Sequence, residues 1–283
     1  MLTSALSRLA VFSSLAWLAR AWLSAAFSCV LFACAAPESA AESTDSELEG
    51  AVNTPHGDLT DLHPAPPPSF QEAKLLAMEV YADHRETLYC GCAFDEHKVV
   101  LPESCGYVPR QNGERARRVE WEHVVPAATF GRHRACWRDE TCRDEAGRAV
   151  TGRACCAALD PEFRAMEADL QNLVPAIGEL NLDRSDRWFG LVPGESRAYG
   201  RCDFEVDVRE NVVEPRESVR GDVARIALYM HAAYGESALP LSDDALFLLW
   251  EWQAADPPDA WERERNSRIG ELQGEINPLV GLP

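Results

Sequence analysis

The residues of this chain best equipped for chemistry are a carboxylate and an imidazole side by side, Glu122-His123, in the run Arg117-Arg118-Val119-Glu120-Trp121-Glu122-His123-Val124-Val125-Pro126. A carboxylate oxygen is a hard ligand that suits Mg²⁺, and a neutral imidazole can take a proton from water. The pair therefore fits a hydrolase in which Glu122 holds the ion and His123 serves as base. By itself a Glu-His pair is more often a solvated glutamate beside a hydrogen-bonded histidine, so its surroundings must decide. Val119, Trp121 and His123 alternate with Glu120 and Glu122, the pattern of a strand. Pro126 cannot continue a central ladder, which puts the pair at the strand's end. Neighbours on a strand point to opposite faces, so these two share a site only if the strand twists or ends there.

The elements that must hold this pair can be read on both sides of it. Ser69-Phe70-Gln71-Glu72 is a capping box, and Leu75, Leu76, Met78, Val80 and Tyr81 carry the expected helix to about His84. Residues 90–105 read as a disulfide-tied hairpin. Residues 132–160 read as loop, with a run of charges and breakers at Gly147 and Gly152. Asp160-Pro161-Glu162 opens a short helix through Met166. Residues 169–175 are the expected second strand, 176–186 a helix, and 201–208 a further strand. Helices over 218–234 and 242–255, and a last one begun at Asp259, complete the chain. Trp250, Trp252 and Trp261 are assigned to the core. No repeat and no linker follows Ser69, so one mixed α+β domain is expected over residues 70–283.

Residues 1–36 read as an export segment, with Arg8 and Arg20 its only charges and an apolar run over 21–33 too short to span a bilayer comfortably. Leu31-Phe32-Ala33-Cys34 resembles a bacterial lipoprotein cleavage box, which would leave Cys34 as a lipidated first residue. Ala33-Cys34-Ala35 also fits ordinary signal cleavage after Ala35. Either route exports the chain, to the periplasm, the outer membrane or the medium. Residues 37–69 are acidic, hold no Lys or Arg, and include Pro64-Ala65-Pro66-Pro67-Pro68, the composition of a disordered tether. Beyond the export segment remain Cys90, Cys92, Cys105, Cys136, Cys142, Cys155, Cys156 and Cys202. An even set in an exported protein argues for disulfides. Neither Cys90-Gly91-Cys92 nor Cys155-Cys156 has the two-residue gap that wraps zinc well. The net charge of −19 weighs against binding nucleic acid through a global field. Yet Arg110, Arg115, Arg117, Arg118, Arg132 and Arg134 cluster around the Glu-His strand. Only Lys74 and Lys98 are lysines, so nearly all positive charge is guanidinium, which suits bidentate phosphate contacts.

A second stretch, Met166-Glu167-Ala168-Asp169-Leu170-Gln171-Asn172-Leu173-Val174-Pro175-Ala176-Ile177-Gly178-Glu179-Leu180-Asn181-Leu182-Asp183-Arg184-Ser185, joins Glu120-Trp121-Glu122-His123-Val124-Val125-Pro126-Ala127 in a common likeness. Together with Tyr89-Cys90-Gly91-Cys92, Cys105-Gly106-Tyr107, Tyr199-Gly200-Arg201-Cys202 and Asn277-Pro278, they closely resemble the bacterial endonuclease I family of exported, sequence-nonspecific nucleases. The resemblance implies a disulfide-linked α+β domain with a ββα-metal (His-Me finger-like) site, two strands and a helix around one Mg²⁺. Carried over residue by residue, it implies Glu122 and Asn181 as metal ligands and His123 as general base. Glu167 matches a further acidic site residue, and Arg153 the arginine that holds the scissile phosphate. It also implies a monomer cutting DNA and RNA to 5′-phosphate ends. Without the likeness, Asn181 reads as a helix-surface amide, Glu167 as a partner of Arg164, and Arg153 as a solvated loop charge.

Three departures from the family pattern stand out. Gln171 occupies a place where histidine is common. Leu182 replaces a glycine after Asn181, which favours helix but could crowd the phosphate. Residues 138–151 contain an insertion carrying Cys142, while Arg263 occupies the place of a C-terminal cysteine. One bridge is thus lost and another gained, with Cys142–Cys155 and then Cys136–Cys156 the expected pairs, and Cys90, Cys92, Cys105 and Cys202 forming two bridges of open order. Two other classes compete: a catalytically silent nucleic-acid-binding surface lipoprotein, and a zinc hydrolase, for which the sequence lacks His-rich spacing.

Overall fold

Ser69 begins the first helix as its capping box requires, its Oγ accepting from Glu72 N at 3.2 Å. The computed structural model describes residues 59–111, 113–194, 196–236, 239–281 and 283, so the expected export segment and most of the tether lie outside the described residues. Helix α1 spans Phe70–Val80 and stops short of His84. Tyr81 turns aside there to pack its ring on Trp121 and Trp261, at 5.6 and 5.3 Å between centroids. Composition predicts a free tether up to Ser69, but from Leu59 onward the chain lies on the domain. Leu59 and Leu62 pack on the core, and Ala65 N donates to Gln273 O at 3.2 Å. Even an acidic, proline-rich segment is ordered when a few apolar side chains find a groove and the prolines have little entropy to lose.

Strand β1, Val119–His123, ends at His123 as the proline signal requires. Short helices α2 (Ala127–Gly131) and α3 (Ala135–Arg138) follow. The region read as loop is more ordered than its polarity implies. Residues Cys142–Arg143 (β2) and Ala149–Val150 (β3) form a small hairpin, whose turn is closed by Asp144 accepting from Ala146 N and Arg148 N at 3.0 and 2.9 Å. Helix α4 spans Gly152–Leu159. Cys142–Cys155 and Cys136–Cys156 tie α4 to the hairpin and to α3 through adjacent cysteines. The open pair resolves as Cys90–Cys202 and Cys92–Cys105.

Helix α5, Pro161–Ala168, starts on Asp160, whose side chain accepts from Phe163 N. The second strand, β4, is Leu173–Ile177, later than expected, because Asp169 accepts from Gln171 N at 2.9 Å and folds 170–172 into a 3₁₀ turn. Strand β4 pairs antiparallel with β1, His123 opposite Leu173 and Glu122 opposite Val174. Helix α6, Gly178–Arg184, springs directly from β4. A Cβ on Gly178 would lie 2.8 Å from both Arg115 O and Glu120 Oε1, so only glycine lets α6 start this close to β1. A three-stranded sheet follows: β5 (Trp188–Phe189) runs parallel to β7 (Val212–Pro215), which pairs antiparallel with β6 (Phe204–Asp207). Helices α7 (Arg220–Tyr234), α8 (Asp243–Ala255) and α9 (Ala260–Gln273) close the fold. Helix α7 is buried nearly all round and is fixed to α9 by Arg225, which donates to both oxygens of Glu262 at 2.6 and 2.5 Å. Trp252 is core and Trp261 stacks on His84 in the helical layer. The described domain is mixed α+β with four disulfides.

Candidate active site

Glu122 and His123 leave β1 on opposite faces. His123 meets Phe70 of α1 at 4.9 Å between rings, while Glu122 points to Tyr89 and α6. They still line one cavity of about 310 Å³, because the strand ends there. Asn181 and Arg153 line the same cavity.

His123 is 6% exposed, and its Nε2 is 2.8 Å from Glu167 O. A carbonyl can only accept, so Nε2 carries the hydrogen and Nδ1 keeps the lone pair. Burial, with Arg153 and Arg184 nearby, holds the imidazole neutral by pulling its pKa down to about 3. The imidazole is thus neutral with Nδ1 unprotonated, the form a general base needs, while the burial and the two arginines that keep it neutral also weaken its basicity. Glu167 thus acts on His123 through its backbone. Its carboxylate takes the Nε–H of Arg153, not Arg164, which instead donates to Ala157 O and Ala158 O. Arg153 sits in the first turn of α4, not on a loop, and lies 4.6 Å over the Phe70 ring. Both Nη groups carry no hydrogen bond to the described residues and remain for an anion.

Glu122 is fixed by groups that sequence reading missed. Tyr89 OH donates to its Oε1 at 3.1 Å and Arg184 Nη1 at 3.0 Å. Arg184 is fully buried, donates also to His123 O at 2.7 Å and to Val124 O, and lies 4.7 Å over Phe189. Burial pushes the Glu122 carboxyl up to about 7, against the pull of Arg184 and the Tyr89 hydroxyl. The available signal was spacing: Asn181 and Arg184 are three apart on one helix and so share a face. Asn181 Nδ2 donates to Glu120 Oε2 at 3.3 Å, which leaves its Oδ1 for the cavity. Glu120 is itself held by Arg118 at 2.8 Å and by Arg115.

The donor set fits a hard cation. Glu122 Oε2 and Asn181 Oδ1 are oxygens without a hydrogen bond among the described residues, one of a carboxyl and one of an amide. Two such ligands leave most of an octahedral shell to water and substrate, as Mg²⁺ prefers. Among the described residues, no group of three or more His, Cys, Asp or Glu side chains converges on one point.

The departures have structural explanations. Gln171 is fully buried away from this cavity and donates to Asn266 Oδ1 at 2.7 Å, joining the 3₁₀ turn to α9, so no titrating group is needed there. Leu182 is 53% exposed on the far side of α6 and does not line the cavity, so it does not crowd a phosphate held there.

The strand pair leading into α6, with these side chains at its end, defines a disulfide-bonded domain of one known class. The chain matches the endonuclease I family over residues 70–283 and belongs to it. It is 43% identical over 216 residues to an extracellular deoxyribonuclease of Aeromonas hydrophila, covering 75% of this chain and 88% of that protein. A periplasmic deoxyribonuclease of the same organism is 42% identical, over 75% and 85% of the two chains. Endonuclease-1 of Buchnera aphidicola (subsp. Acyrthosiphon pisum) is 36% identical over 215 residues, 75% of this chain and 80% of that protein. With extracellular and periplasmic relatives and four disulfides, the protein is an exported one.

Proposed function

We propose that this protein is a Mg²⁺-dependent endonuclease that hydrolyses phosphodiester bonds of DNA, and of RNA, without sequence preference, leaving 5′-phosphate ends. The observation that carries this reading is that Glu122, His123, Arg153 and Asn181 line one cavity between the end of β1, α4 and α6. We read that junction as a ββα-metal site. Glu122 Oε2 and Asn181 Oδ1 would hold the ion, which when bound neutralises charge on the phosphate and the leaving oxygen. Nδ1 of His123 takes a proton from a water in line with the scissile bond. The water oxygen bonds to phosphorus as the bond from phosphorus to O3′ breaks. O3′ takes a proton from solvent and leaves as an alcohol, and the phosphate stays on the 5′ side. The two Nη groups of Arg153 bind non-bridging oxygens as charge builds on them. Tyr89, Arg184 and Glu120 orient the ligands, and the Glu167 carbonyl fixes the tautomer of His123.

The names of the relatives, deoxyribonucleases and an endonuclease, support the substrate class. The protein acts as a monomer, and Cys34 is its lipid attachment site; Cys34→Ser should move it from the membrane fraction to the soluble one. Plasmid nicking with Mg²⁺ and with chelator tests the activity. A silent nucleic-acid-binding lipoprotein would retard the plasmid without nicking it, and that outcome would end the reading.

A further inference from the structure

The catalytic cavity continues into a second groove of about 530 Å³, because Trp121, Arg153 and Asn181 line both. The second groove is walled by Lys74, Lys98, Arg115 and Arg118. Lys74 and Lys98 are the only lysines in a chain of net charge −19, and both face this one groove. The one carboxylate in its wall, Glu120, is already engaged by Arg115, Arg118 and Asn181. Among the described residues no carboxylate pairs with either lysine; Lys74 Nζ lies only over the Phe70 ring, at 4.8 Å. Unpaired ammonium groups in a groove next to a phosphate-binding arginine make a local positive field that the acidic body does not cancel within a Debye length.

The backbone at both lysines is fixed by the fold. Lys74 stands on α1, the helix whose Phe70 touches both His123 and Arg153. Lys98 ends a tight turn in which Asp95 Oδ1 accepts from His97 N and Val99 N at 2.9 and 2.8 Å. Its backbone is left-handed, φ 63°, where glycine or asparagine is less strained. Lys98 O accepts from Val119 N at 2.8 Å, which pins the turn to the first residue of the strand that carries Glu122 and His123.

We propose that this groove seats the backbone of the bound DNA strand next to the scissile phosphate, with Lys74 and Lys98 each neutralising one further phosphate. The assignment rests on the nuclease reading of the adjoining cavity and names where the substrate runs from it. Contacts of this kind position the strand without reading its bases, as a nonspecific enzyme requires.

The test is binding of a short fluorescein-labelled DNA duplex to the whole exported protein, followed by anisotropy across a salt series in chelator. Each phosphate contact contributes about 0.9 to the slope of log K against log salt, so Lys74→Gln/Lys98→Gln should flatten the slope by about 1.8 and weaken binding severalfold at low salt. With Mg²⁺ restored, KM should rise while kcat at saturating DNA stays unchanged. Arg209→Gln, an exposed charge on the turn between β6 and β7, should leave the slope alone. A double variant with the wild-type slope would overturn the proposal, as would an Arg209→Gln variant that flattens it equally, since net charge alone would then explain the effect. Binding in chelator is read whether or not the DNA is cut. Failure of the wild type to nick DNA in Mg²⁺ would sink the nuclease reading and, with it, this assignment, whereas an unchanged slope in an active enzyme would remove the groove alone.

Discussion

Replacing Cys142 and Cys155 with alanine removes the bridge that ties the β2–β3 hairpin to α4. Alanine is preferred because Cys155 is buried and a serine hydroxyl would need a partner there. Taken alone, closing a loop with a separation of 13 restricts the unfolded chain by about 3 kcal/mol in the chain-entropy model. The bridge does not stand alone, however. Cys136–Cys156, with a separation of 20, encloses it, so the two sulfurs already travel on one closed ring in the unfolded chain. Two points on a ring meet more often than the same points on an open chain, which lowers the expected contribution to about 2 kcal/mol. At about 2–4 °C per kcal/mol for a domain of this size, Tm should fall by about 4–8 °C. Activity should fall less steeply. Arg153 stands on α4, and Cys136–Cys156 still ties that helix to α3, so kcat/KM on duplex DNA should drop by about 2–10-fold. Misplacing a positioning group by an ångström can cost about 10²-fold. Thermal unfolding and steady-state cleavage, measured on the same preparation, check both figures. A Tm within about 1 °C of wild type would refute the ring argument, and finding Cys142 as a free thiol in non-reducing peptide maps would remove the bridge itself.

Other predictions follow from the site. His123→Ala should lower the cleavage rate by about 10²–10⁴-fold with Mg²⁺ binding and folding largely kept, and near-native turnover would make His123 structural. Because its folded pKa is lowered to about 3 from 6.5, the unfolded chain binds the proton first. Stability should therefore fall as pH drops from about 6.5 towards 3, and His123→Ala should flatten that part of the stability curve. Arg184→Met leaves the Glu122 carboxylate buried and two carbonyls unpaired, which should cost about 3–5 kcal/mol in urea unfolding. Adding Glu122→Gln should recover part of that loss, and simple additivity of the two would show that the pair is not coupled. Chelator should abolish cleavage and Mg²⁺ should restore it, because on this proposal only two protein oxygens would hold the ion and leave it exchangeable; full activity in excess chelator would exclude the metal role. Ca²⁺ should compete for the site without supporting the reaction.

Much of this protein is written locally and can be read without the fold. The alternation through Val119 to His123 and the stop at Pro126 place a strand end because side-chain period and the missing proline donor act over neighbouring residues. The caps at Ser69, Asp160, Ser242 and Asp259 form where their sequences put them, since capping is a bond across one turn. The Cys142–Cys155 and Cys136–Cys156 pairs could be expected because the family resemblance marks Cys142 as an added cysteine, and the structure has both. What the sequence could not supply is everything that depends on contacts between distant segments. Arg184 looks like any helix cation until burial places it on Glu122. Glu167 reaches His123 through its backbone carbonyl, a contact that no residue type encodes. The hairpin over 142–150, closed by Asp144, is tied to α4 by Cys142–Cys155, a bond between segments that the polarity of the stretch does not announce. The docking of 59–69 depends on a groove made elsewhere. Whether Glu122 and His123, on opposite faces of one strand, meet in a single cavity was decided by α4 and α6 packing at the strand's end, a long-range outcome with no local signature.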